Sequence, residues 1–178
     1  MIQKIETIVI TISKKEREYE RIRFVLRAVS KGNTNPSLNY IHVEDKVMVA
    51  TDSKRMHIAE DIDIPDGEYR VVKNNSAEII LIEIKEPNKY PNYKAVIPDL
   101  KECTEHRIYA CSLDNMLAVT LKNLPDDRKV SVDFIKQIKF NMDSVYICKE
   151  RTAENNWNDK AMVFIGTKVK ALIMPMKM

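Results

Sequence analysis

The sequence predicts an α+β protein in which two strand-helix-strand repeats each lay one helix on a largely antiparallel sheet. Three observations point there. Short stretches of alternating apolar and polar residues dominate the chain, two segments carry helical periodicity with N-terminal capping residues, and the order of these elements recurs. The join falls near Pro98-Asp99, giving repeats over 1–98 and 99–178.

The first strand signal is "IETIVITI", whose Glu6 and alternation also distinguish it from a signal peptide. A helix follows. Ser13 and Glu16 have the spacing of a capping box, Tyr19, Ile22, Leu26 and Val29 recur at helical spacing, and "KGN" closes it. Phe24 then falls within the polar arc, where it could pack against a neighbouring subunit. "NYIHV" and "KVMVAT" form a hairpin around Glu44-Asp45-Lys46, and "GEYRVV" and "AEIILIEI" form another around "KNNS". "RIYACSL" and "MLAVTL" read as a hairpin turning at Asp114-Asn115. "SVDFIKQIKFN" predicts the second helix, with Ser131 as N-cap and Ile135 and Ile138 inward. "SVYICKE", "AMVFI" and "KVKALIMPM" close the pattern, the last two turning at Gly166-Thr167. "RTAENNWNDK" reads as an exposed loop in which Trp157 packs.

With 178 residues the chain can bury one good core or two small ones. No run reaches the roughly 18 apolar residues that a bilayer span requires. Three cysteines (Cys103, Cys111, Cys148) without CxxC spacing suit a reducing, cytoplasmic setting. Cys103-x-x-His106 is half a zinc site with no second half, and Pro65 breaks the calcium-loop resemblance of "DIDIPDGEY". There is no Gly-rich phosphate loop and no GxSxG elbow, so nothing argues for an enzyme, a metal or a cofactor.

Charge is more informative. The net charge is only +3, yet the first helix region gathers Lys14, Lys15, Arg17, Arg21, Arg23, Arg27 and Lys31 against Glu16, Glu18 and Glu20. The second helix adds Lys136 and Lys139. Such faces are either solvated and laced with ion pairs or able to track phosphates.

"VATDSKRMHIAE", "YPNYKAVIPDL" and "LIMPMKM", in that order, resemble motifs of the bacterial DNA sliding clamp, the DNA polymerase III beta subunit. In that family one strand ends in a Thr-Asp-Gly-x-Arg-Leu turn, a domain closes with Phe-Pro-Asp-Tyr-Arg-Arg-Val-Leu/Ile-Pro, and the chain ends in Met-Pro-Met-Arg-Leu. "VSVDFIKQI" and "DSVYICKE" resemble the helix and strand before the family's last hairpin. The resemblance implies the DNA clamp fold, with the basic helix faces toward duplex DNA. It also implies a greasy groove for short peptide motifs of polymerases and other replication proteins. The corresponding positions here are Thr51, Asp52, Ser53, Lys54, Arg55, Met56, Pro98, Met174, Pro175 and Met176. Flexible methionines suit a surface that accepts many peptides.

Three departures stand out. The family's turn glycine is Ser53, its basic-aromatic neighbour is Lys54, and this chain is far shorter than a three-domain clamp. The expected function is a non-enzymatic processivity factor that holds replication proteins on DNA without reading sequence, as a homo-oligomer. The alternative is a clamp-derived binding module or decoy that captures replication peptides and never encircles DNA.

Overall fold

The computed structural model describes residues 7–32, 34–108, 112–124, 128–138, 142–148, 161–174 and 176–177, with main chain alone at 102, 128, 148, 176 and 177. Two compact units divide the chain. One comprises Met1–Asp52 and Ile58–Pro91, the other Ser53–His57 and Asn92–Met178.

Unit 1 begins with β1 (Val9–Ser13) and α1 (Tyr19–Leu26). The hairpins β2 (Ile41–Glu44) with β3 (Val47–Thr51), and β5 (Gly67–Asn74) with β6 (Glu78–Glu83), follow. The strand order is β1-β6-β5-β2-β3, and all its neighbouring strands run antiparallel. Asp45 and Lys46 both have positive φ, 51° and 62°, which lets a two-residue loop join β2 to β3 with the natural strand twist. The capping box forms, since Ser13 N–H donates to the Glu16 carboxylate at 2.7 Å, but regular helix starts only at Tyr19. α1 packs on β3 and β6, and Tyr19, Ile22, Phe24, Ile41, Met48, Tyr69, Ile79 and Leu81 are fully buried. Each such side chain contributes roughly 1.5–3 kcal/mol. Phe24 is therefore a core residue of this chain, not an exposed contact for another subunit, because α1 is buried on more than one face.

Unit 2 takes residues Ser53–His57, which include most of β4 (Arg55–Ala59). It continues with β7 (Cys103–Arg107), α2 (Leu113–Asn123), β8 (Arg128–Lys129), α3 (Val132–Gln137), β9 (Met142–Cys148), β10 (Met162–Gly166), β11 (Val169–Ile173) and β12 (Met176–Lys177). Its larger sheet runs β4-β11-β10-β9-β7, and β12 pairs with β8 apart from it. The expected hairpin at Asp114-Asn115 is corrected to the helix α2. Ser112 caps it by accepting the Asn115 N–H at 3.1 Å, which places Asp114 in the first turn at the positive end of the helix dipole. α2 packs on α3, where Ile135 and Ile138 are buried as predicted. The loop at 151–160 lies outside the described residues. Among the described residues no helix is long and apolar enough to cross a membrane.

The architecture is thus a mostly antiparallel one with few helices, as the sequence predicts.

Candidate functional site

The turn after β3 is built from residues with unequal exposure. Thr51 and Asp52 are half-buried at the end of unit 1, while Ser53 and Lys54 are exposed. Ser53 has φ 74°, the left-handed conformation that glycine adopts without steric cost. The main-chain N–H of Met174 donates to the Lys54 carbonyl at 2.9 Å, joining two motifs that lie far apart in sequence. Arg55 places its guanidinium 4.7 Å from the centre of the Phe134 ring and hydrogen-bonds Gln137 Oε1. Phe134 and Gln137 of α3 are thus neighbours of Arg55 that the sequence reading missed. Their signal is an aromatic and an amide three positions apart beside the inward Ile135 and Ile138.

Unit 2 brings Lys54, Arg55 and Met174 together, with Pro98 half-buried in the same unit. Met56 is 3% exposed, in the stretch Met56–Ala59 along which β4 is buried at every residue. Pro175 and the side chain of Met176 lie outside the described residues.

The basic segment of unit 1 divides in the same way. Lys14, Lys15, Arg17 and Lys31 are exposed, and Arg23 is half-buried, 3.9 Å from Glu20. Arg21 is corrected from the polar arc to the interior at 7% exposure. Its Nη2 donates to the Asp61 carbonyl at 3.0 Å, with the Asp61 and Glu18 carboxylates 3.9 and 4.0 Å away. Glu18 also accepts from Asp63 N–H at 3.1 Å, so this cluster fastens the 61–63 loop to the start of α1. Arg27 is half-buried, and burial and the nearby Arg23 hold its guanidinium below the usual range while Glu20 opposes them. Lys136 is exposed, 3.4 Å from Asp133, and Lys139 lies outside the described residues.

Among the described residues no group of three or more His, Cys, Asp or Glu could hold a metal ion. Cys103 is disulfide-bonded, a bond the odd cysteine count does not predict. A bonded sulfur has no thiolate to offer zinc. Unit 1 thus offers exposed cations at 14, 15, 17 and 31, and unit 2 a turn beside the Phe134 ring.

The mostly antiparallel sheets with few helices make an α+β architecture. No protein-family model matches the chain, nor does any curated protein. Among solved structures it is similar to DNA polymerase III subunit beta from Borrelia burgdorferi, with a TM-score of 0.58 and 14% identity over 100% of this chain and 66% of that one. The C. crescentus beta sliding clamp gives a TM-score of 0.57 and 14% identity, over 100% of this chain and 68% of that one. A Pseudomonas aeruginosa sliding clamp bound to griselimycin gives 0.52 and 12%, over 96% and 66%. The chain has the sliding-clamp fold and spans about two thirds of the length of these clamps.

Proposed function

We propose that this chain is a sliding-clamp-like processivity factor that holds replication proteins on duplex DNA without reading its sequence. The observation that carries the reading is a clamp fold that also exposes Lys14, Lys15, Arg17 and Lys31 as a cationic segment. Point charges on flexible stems contact phosphate and ignore bases, which is what a protein that slides needs. The C. crescentus clamp was solved with PEG at a region proposed to tether beta motifs. We assign the counterpart here to Lys54, Arg55, Pro98 and Met174, with Thr51, Asp52 and Ser53 leading into it, and polymerase-type peptides as its ligands. The two repeats form one reduced clamp domain, and the chain acts in the cytoplasm without enzymatic activity.

β1 and β7 stand at the ends of the strand orders of their units. Among the described residues neither has a strand on its outer side, so edge-to-edge pairing between copies supplies the oligomer that a ring requires.

Reversing charge at Lys14, Lys15, Arg17 and Lys31 should weaken duplex binding equally across sequences. It should also flatten the log–log salt dependence by about 0.9 per lost phosphate contact. Sequence-selective loss, or none, overturns the DNA role. A solution mass showing monomer alone at high concentration removes encirclement and leaves a protein-binding module.

A further inference from the structure

The edge strand β7 buries little. Along Cys103–Arg107 only Cys103 and His106 are half-buried, and Thr104, Glu105 and Arg107 are exposed. Its ladder with β9 is its strand pairing among the described residues, so apolar packing does little to hold it down. Cys103 lies directly opposite Cys148 in that ladder, and Cys103 is disulfide-bonded. Directly opposed residues on antiparallel strands have Cα atoms roughly 4.5–5.5 Å apart, inside the ~4.4–6.8 Å that a disulfide spans. The third cysteine, Cys111, falls past the end of β7 at Arg107.

We propose that Cys103 and Cys148 form a cross-strand disulfide that acts as a reversible latch on this edge. In closing, one cysteine thiolate attacks a low-molecular-weight disulfide and expels a thiolate. The second cysteine thiolate then attacks the mixed disulfide and expels the other. The protein loses two protons and two electrons, and the small disulfide is reduced to two thiols. A dithiol reductant reverses the exchange, leaving β7 held by backbone hydrogen bonds and slight burial. The latch does not depend on DNA or peptide binding.

The full chain should be incubated with oxidised glutathione, alkylated in denaturant and digested without reductant. The expected product joins a Cys103 peptide to a Cys148 peptide and leaves Cys111 alkylated. Amide exchange over 103–107 should accelerate about tenfold or more on reduction by a dithiol, with the β5–β6 hairpin unchanged. Cys148→Ser should exchange like the reduced protein, and Cys111→Ser like the oxidised one. Alkylated Cys103, a Cys103–Cys111 link, or β7 exchange indifferent to redox state overturns the proposal.

Discussion

Arg21→Met keeps the aliphatic stem of a buried side chain and removes its guanidinium. The charge-assisted hydrogen bond to the Asp61 carbonyl at 3.0 Å is lost, which costs about 1.5–3 kcal/mol. The contacts to Asp61 and Glu18 at 3.9 and 4.0 Å add roughly 0.5 kcal/mol each, since Asp61 is exposed. Against this, Arg21 Nε is buried without a hydrogen-bond partner among the described residues, and removing it recovers about 1 kcal/mol. The net loss is about 1.5–3 kcal/mol. For a chain of this size that lowers Tm by roughly 3–10 °C, and exchange at the 61–63 amides should rise with it. Duplex binding measured by anisotropy should not change, whereas Arg17→Glu should weaken binding at unchanged Tm. Arg21→Met with wild-type Tm and weakened DNA binding would refute the reasoning, because Arg21 would then stand on the surface.

Ser53→Gly removes the left-handed cost at φ 74° and should stabilise the protein by about 0.5–1 kcal/mol in urea titration. Tyr69 donates its hydroxyl to the Pro65 carbonyl at 2.8 Å, and burial first, then Glu83 and Asp66, raises its pKa. The unfolded chain thus loses that proton at lower pH than the folded one. Stability should fall as pH rises past about 10, and Tyr69→Phe should flatten this alkaline limb at a neutral-pH cost of about 1 kcal/mol. Cys103 and Cys148 lie 45 positions apart (148 − 103), so the chain-entropy model gives a bridge between them up to about 4 kcal/mol. A double Ser variant that matches the oxidised protein in urea would remove that contribution.

Elements whose local chemistry allowed one answer were legible in the sequence. Glu44-Asp45-Lys46 and Gly166-Thr167 announced their hairpins by polarity between alternating strands, the second loop falling one residue later at Thr167-Lys168, and Ile135 and Ile138 announced the buried face of α3. Ambiguity defeated the reading at Ser112–Asn115, because the Asp-Asn pair that favours a tight turn equally favours a helix start once a serine caps it. A single amphipathic stripe was the wrong assumption for α1. Arg21, Phe24 and Val25 are buried beside the expected Tyr19, Ile22 and Leu26, and a long arginine enters the interior when a carbonyl and carboxylates await it. The meeting of Lys54 and Met174 was visible only through resemblance, since no local pattern encodes a contact across 120 positions (174 − 54). The Phe134 and Gln137 contacts of Arg55 left no sequence signal strong enough to commit to.

Residues Ser53–His57 belong with unit 2, although the chain on both sides of them belongs to unit 1. In the sheet of unit 2 their neighbour is β11, beginning at Val169, so that side of β4 waits for a partner 114 positions later (169 − 55). Closing so long a loop is entropically costly and slow compared with forming the β2–β3 or β5–β6 hairpin. Until it closes, the side of β4 that meets β11 presents unpaired amides and carbonyls beside the apolar Met56, which is the profile of a strand open to mispairing. Cutting the chain at Pro91 would strip unit 2 of a strand rather than liberate it. The order of events during refolding should therefore be local hairpins first and the β4–β11 pairing late.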